Sequence, residues 1–376
     1  MKQMNSSERV LAAANYAQPD RVPAHINASK WVVARLKKAL NVDSDIDLLK
    51  ALHVDVYDMR GIDLRSGIAP RYVGPEHEFF TQGSSDWGGN ISCLWRMRET
   101  EQQTIAGMNY EFSDPEMMHA QSIENLEEFD WPCVDWFDFS NIRDELKAYE
   151  DFSIMASGCS IFQHITYVRG MQEFLLDMAG EPHIAEYLFN KFSDFYFDYY
   201  NRMFEEVGDL IDVFALADDF GTQNSTLISM RMFNKQVAGH LRRMIDLAHS
   251  YDMKFLLHTC GNIRTWIPRF AELGVDILDP IQPECMDPVA VKQEYGDIIC
   301  LRGGISVQQI MVNGTPDEVR DEVKRVVTGC MEGGGYILSP GHPVLQDDVP
   351  TENIIAMYDA GFEFGQYESE VARCTK

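Results

Sequence analysis

The sequence predicts an α/β chain folded as a single (β/α)₈ barrel of the TIM type over residues 1–376. Three observations carry that reading. Eight short apolar runs recur, near 22–27, 54–58, 153–158, 212–217, 254–258, 276–281, 298–302 and 336–339. Most are followed by a stretch of helical periodicity, and such alternation builds a parallel sheet. The rival architecture, an open doubly wound sheet, usually places a Gly-rich phosphate turn after its first strand, and the sequence has none there.

The elements follow in order. Ser6 or Ser7 can cap a first helix over 6–17, with Val10, Leu11, Ala14 and Tyr16 as an irregular apolar stripe. Pro19 ends it, and Pro23 weakens the first strand because proline brings no ladder donor. Residues 30–40 are helical by pattern, and 54–58 alternate like a strand. Residues 67–115 break the rhythm with β-like pieces around a Gly- and Ser-rich run. They read as a β-rich insertion after the second strand, too short for a core of its own. A loop of this size on an enzyme scaffold often covers a site. Helices are then expected over 123–129, 142–150, 171–207, 230–251, 266–273, 288–295, 316–332 (capped by Thr315) and 352–367. The aromatic run Phe192, Phe195, Tyr196, Phe197, Tyr199 and Tyr200 has helical spacing and fits internal packing or a homodimer surface.

Composition narrows the function. A net charge of −27 disfavours a nucleic-acid backbone or an anionic membrane surface as partner. The eight cysteines are scattered without a CxxC pair, which fits a reducing cytoplasm. Neither an apolar signal region nor a run of about 18 apolar residues occurs, so a cytoplasmic chain without a membrane span is expected.

In a barrel, chemistry gathers where strands end and βα-loops begin. That rim carries Asn27, Asp218, Asp219, Gln223, His258, Cys260, Gln282, Glu284 and His342. On a strand, residues two apart point the same way, so His258 and Cys260 present an imidazole and a thiol together. That pair suits a borderline divalent ion, zinc first. The competing reading is a core histidine beside a buried free cysteine. A bend at Gly341 would bring His342 in as a third ligand, with Glu284 or Cys285 as a candidate fourth; otherwise His342 contacts substrate without a metal. Adjacent Asp218 and Asp219 point opposite ways, so one is expected to face the axis, as a base or a substrate contact, unless both only cap the next turn. Catalytic candidates are therefore Asp218, Asp219 and His258. Asn27, Gln223, Gln282 and Glu284 are the substrate-binding candidates, and His258, Cys260 and His342 the metal ligands.

The opening from Ser7 to Pro23 resembles the uroporphyrinogen decarboxylase superfamily, as do Asp86–Gly88, Asp218–Gln223, His258–Gly261, Gly274–Pro283 and Gly303–Ser306. The resemblance covers nearly the whole chain and implies a (β/α)₈ barrel. The decarboxylase branch is marked by an Arg-Gln-Ala-Gly-Arg stretch after the first strand, and residues 27–35 lack it. A substrate with eight carboxylates calls for clustered guanidinium groups. The other branch resembles corrinoid-dependent methyltransferases, which hold zinc with a His-x-Cys pair and a later cysteine. His258 and Cys260 match the pair, and His342 stands where the later cysteine falls. The resemblance thus implies methyl transfer between a small molecule (a methyl ether, amine, alcohol or thiol) and a corrinoid carried on a partner protein, assisted by zinc. The alternatives are a metal-free decarboxylase and a non-enzymatic corrinoid- or tetrapyrrole-binding protein.

Overall fold

The computed structural model describes residues 3–64, 66–76, 94–95, 117–342 and 344–367. Its centre is a curled parallel sheet of seven strands with helices on the outside. The strands are β1 (Val56–Asp58), β4 (Ser153–Cys159), β5 (Val213–Ala217), β6 (Lys254–His258), β7 (Ile277–Ile281), β8 (Cys300–Ile305) and β9 (Tyr336–Pro340), neighbours in that order. A separate antiparallel pair is formed by β2 (Arg71–Tyr72) and β3 (Phe137–Asp138).

Seven of the expected strand runs are strands of the sheet. The eighth, 22–27, contributes an isolated bridge between Ala24 and Leu338. Pro23 lacks an N–H, so a regular ladder cannot run through it. The segment still joins both edges of the sheet. His25 N–H donates to Leu338 O and Leu338 N–H to Pro23 O, while Asp55 N–H donates to Ala24 O, each at 2.9 Å. The architecture is therefore barrel-like, with one position filled by a bridging segment.

Most of the expected β-rich insertion lies outside the described residues. Of the part that is described, Arg71 and Tyr72 pair with Asp138 and Phe137. Trp95 is buried on the helix Pro182–Val207, stacked on Phe192 at 4.0 Å, and its Nε1–H donates to Tyr196 Oη at 2.8 Å. Phe192, Phe195, Tyr196, Tyr199 and Tyr200 are all buried within the chain. Their stripe therefore serves internal packing, and only half-buried Phe197 remains at the surface.

Several helix expectations change; the expected helix 230–251, for one, divides into Met230–Met232, a π-helical turn over Phe233–Val237 and Ala238–Ser250. The first helix, Ser6–Ala14, is capped by Asn5 instead of Ser6 or Ser7, in a reciprocal capping box with Glu8. The long helical region 171–207 divides into Met171–Gly180 and Pro182–Val207, because proline favours a first helical turn over an interior.

Alternation within the strands decides what faces inward. Val56, Met155, Val213, Leu256, Ile277, Cys300 and Ile337 form one buried cluster, joined by Val10, Ala13 and Ala14 of the first helix, which closes the lower end of the sheet. Arg9 of that helix and Arg21 hold it there, donating to the fully buried Asp55 at 2.6 Å and at 2.7 and 2.8 Å respectively. Two residues further along the same strands stand Asp58, Ser157, His258, Asp279 and Arg302. The apolar floor and the polar layer above it thus come from one periodicity.

Candidate active site and metal centre

That polar layer opens on a cavity of about 410 Å³, lined among others by Asn27, Asp58, Arg60, Asp219, His258, Cys260, Arg302 and His342. His258 ends β6, where it is buried. Its Nδ1 lies 2.6 Å from Asp279 Oδ2, on the neighbouring strand β7. A carboxylate can only accept, so Nδ1 carries the proton and donates to it. That leaves Nε2 facing Cys260 Sγ at 3.5 Å and Asp219 Oδ1 at 3.8 Å. Asp279 is fixed in turn by the buried Arg302, whose Nε–H donates to Oδ1 at 2.7 Å.

Asp219 reaches the same point from the loop after β5. Its Oδ1 accepts Cys260 N–H at 2.8 Å and its Oδ2 accepts Gln163 Nε2–H at 3.2 Å. The loops carrying Asp219 and Cys260 pack backbone to backbone. A Cβ on Gly221 would lie 2.6 Å from Cys260 O, and one on Gly261 would lie 2.6 Å from Gly221 C. Gly261 also has φ +91, so both size and conformation select glycine there.

Asp219, His258 and Cys260 each offer a ligand atom, and these atoms lie within 4.8 Å of one another. Around a tetrahedral zinc with typical bond lengths the N–S edge is about 3.5 Å, the separation found between His258 Nε2 and Cys260 Sγ. A protonated Nδ1 held by a carboxylate is also the usual outer partner of a metal-bound histidine. The residues therefore fit zinc, with three protein donors and the cavity on the open side.

The charges are strongly coupled. Burial opposes the His258 imidazolium, but Cys260 and Asp279 outweigh it and hold the ring well above the ordinary histidine value. Burial pushes the Cys260 thiol up against the pull of His258. Burial also opposes the Asp279 carboxylate, yet Arg302 and His258 hold it below the usual range. Asp58 behaves alike: burial is overcome by Arg60 and by hydrogen bonds from Ser157 and the Arg60 N–H.

The other predicted residues separate. His342 lines the cavity, but its ring is not among the three grouped ligands, and its Nδ1 lies 3.1 Å from Val344 O and 3.3 Å from Val344 N. Asp218 points away from Asp219. Its Oδ1 accepts from Ser160 Oγ, Ile161 N and Gln163 N, each at 3.0 Å, and burial pushes it up to about 7 against those donors. Asn27 lines the cavity and donates from Nδ2 to Asp58 Oδ2 at 3.3 Å. Gln282 is buried and holds Gly261 N–H at 3.0 Å. Gln223 is exposed and outside the cavity lining. Glu284 accepts from Ser306 and borders a separate cavity of about 510 Å³ with Arg325. Asp279 and Gln163 were missed. Strand parity with Ile277 marks Asp279 as inward, whereas Gln163 sits on a helix with no motif around it.

Asp279 yields a prediction. Asp279→Asn keeps the shape but removes the charge that fixes the His258 tautomer, and zinc affinity is expected to fall about 10- to 100-fold. Competition against a chromophoric chelator measures it; unchanged affinity would show that Asp279 does not support the ligand.

A family model described as uroporphyrinogen decarboxylase (URO-D) matches residues 139–364. Uroporphyrinogen decarboxylase of Pseudoalteromonas translucida is 26% identical over 188 residues, 49% of this chain and 50% of that protein. Methylcobamide:CoM methyltransferase MtbA of Methanosarcina mazei is 24% identical over 248 residues, 63% of this chain and 68% of that protein. The chain spans about half the length of the first of these curated relatives. A solved methyltransferase from Methanosarcina mazei superposes with TM-score 0.68 at 17% identity, covering 96% of this chain and 99% of that one, a likeness of fold alone. Among the described residues no helix is long and apolar enough to cross a membrane. With the family match running from residue 139 to 364, the chain belongs to the uroporphyrinogen decarboxylase (URO-D) family.

Proposed function

We propose that this chain moves a methyl group between a small molecule and a corrinoid carried on a partner protein, with zinc held by Asp219, His258 and Cys260. The observation that carries the reading is the convergence of those three donors, oriented by Asp279, on a cavity of small-molecule size. A similar protein whose name records methylcobamide and CoM supports the corrinoid as co-substrate. Zinc bound there supplies Lewis acidity towards the heteroatom that carries or accepts the methyl group. The chain's own residues set the stage. Asp279 keeps the His258 proton on Nδ1, and Gln163 and the Cys260 N–H hold the Asp219 carboxylate in place. The two arginines lining the cavity are both committed, Arg60 to Asp58 at 3.4 Å and Arg302 to Asp279 at 2.7 Å. That pairing leaves poor recognition for a substrate bearing many carboxylates.

The test is to mix the zinc-loaded protein with cob(I)alamin and a methyl ether, methylamine, methanol or methyl thioether. The expected result is conversion of the cob(I)alamin spectrum to that of methylcobalamin. The relatives named uroporphyrinogen decarboxylase favour a second reading, metal-free decarboxylation. Carbon dioxide release from uroporphyrinogen with no cobalamin spectral change would establish that one instead.

A further inference from the structure

We propose that His342 is the base of the methyl-transfer reaction, taking the proton of the acceptor's heteroatom on Nε2. This rests on the methyl-transfer reading above. His342 follows β9 and lines the cavity shared with Asp219, His258 and Cys260. Val344 holds its ring from one side. Nδ1 lies 3.1 Å from Val344 O and 3.3 Å from Val344 N, so the backbone offers it both an acceptor and a donor. The ring therefore keeps its pose whether Nδ1 carries a proton or a lone pair. Nε2 has no hydrogen-bond partner among the described residues, and it is not sealed off as Asn27 Oδ1 and Gln346 Oε1 are. It is open to what enters the cavity.

The other basic groups lining the cavity are engaged. His258 donates from Nδ1 to Asp279, and its Nε2 belongs with Asp219 and Cys260 in the ligand group. His164 Nδ1 lies 2.5 Å from Tyr196 Oη, and burial pushes that ring down to about 3. Asp58 accepts from the Arg60 N–H at 3.0 Å and from Ser157 Oγ. His342 is the basic side chain left with an open lone-pair position.

Charge favours the same atom. Burial holds the His342 imidazole below the ordinary histidine value, against the pull of Val344 O, Asp219 and Asp279, so the resting ring is neutral and ready to accept. Asp219 and the Cys260 thiolate together offset the two charges of a zinc ion. An acceptor that joins them as an anion leaves one negative charge over, and a proton on His342 balances it. With a thiol the step closes. The S–H bond breaks and its proton goes to Nε2, while a sulfur electron pair forms the bond to the methyl group of methylcobalamin. The cobalt–carbon pair stays on cobalt as cob(I)alamin, and the imidazolium returns its proton to water.

Ethanethiol is the probe. Its binding to the zinc-loaded protein is followed by calorimetry in buffers of different ionisation enthalpy, which counts the protons released. A thiol that ionises on binding gives up about one proton. The wild type is expected to release close to none, because His342 keeps it. His342→Gln is expected to release about one, with zinc content and circular dichroism unchanged. In transfer from methylcobalamin, His342→Gln should slow ethanethiol about 100-fold. Thiophenol, largely ionised before it binds, should hardly slow at all. Should that variant not fold, histidine C2–H NMR of the wild type decides: ethanethiol should move one ring to its protonated position. Full proton release by the wild type, none by folded His342→Gln, loss of its zinc, equal slowing of both thiols, no histidine signal moving, or no binding of ethanethiol would overturn the proposal. Proton retention on His342 without methyl transfer would retire the activity and leave the proton acceptor standing. Methyl transfer with full proton release would do the reverse.

Discussion

Cys260→Ala should reduce bound zinc from about one ion per chain to near zero and slow methyl transfer to cob(I)alamin by at least about 100-fold. The thiol is the softest of the three grouped donors, and its backbone N–H also anchors Asp219. Alanine keeps the N–H, so Asp219 should stay in place while the site loses a ligand. Asp219→Ala is expected to follow Cys260→Ala in elemental analysis. His342→Ala should keep most of the zinc, because the His342 ring is not among the grouped ligands. Zinc retained in Asp219→Ala but lost in His342→Ala would reassign the third ligand to His342. Full activity in Cys260→Ala would keep the methyl transfer and discard the metal.

The contrast between Asp219 and His342 shows where the sequence stops being informative. Strand parity is a local rule with a period of two, so it placed His258 and Cys260 side by side, and it separated Asp218 from Asp219. The same rule reaches Asp279 through Ile277, and in the structure that residue orients the His258 ring. Loops obey no such period. Asp219 meets Cys260 only because Gly221 and Gly261 let two backbones touch, a tertiary contact that neither glycine announces by itself. Gln223, well beyond the strand end at Ala217, is exposed for the same reason: the chain has already turned outward. The strands themselves were legible because apolar runs bounded by turn residues have few other destinations. The first was the exception, where Pro23 reduced a strand to a bridge that still joins the two edges.

Asp279→Ala should destabilise the zinc-free protein by about 3–5 kcal/mol, the range for stranding one member of a buried ion pair. Arg302 and Asp279 are 5% and 2% exposed, and they sit directly above the apolar floor. Besides Asp279, the guanidinium has a contact to Met155 Sδ at 3.5 Å, a weak acceptor for a cation. Working with chelator-treated protein removes any contribution from lost metal, so urea denaturation reads the loss of the carboxylate from its two buried partners, Arg302 and His258. A surface pair provides the comparison: Asp209→Ala, which frees the exposed Arg143, should leave the urea midpoint unchanged, because water solvates both charges. Replacing both buried partners makes the argument sharper. In Asp279→Ala, adding Arg302→Met removes the stranded charge and fills its space with an apolar chain beside Met155. More than half of the lost stability should return, since a buried pair exchanged for apolar groups is often close to neutral. Additive losses in the double variant would mean that the two residues stabilise the barrel independently. The recovered double variant should still bind zinc poorly, because it regains the floor of the site without the carboxylate that holds the His258 proton on Nδ1.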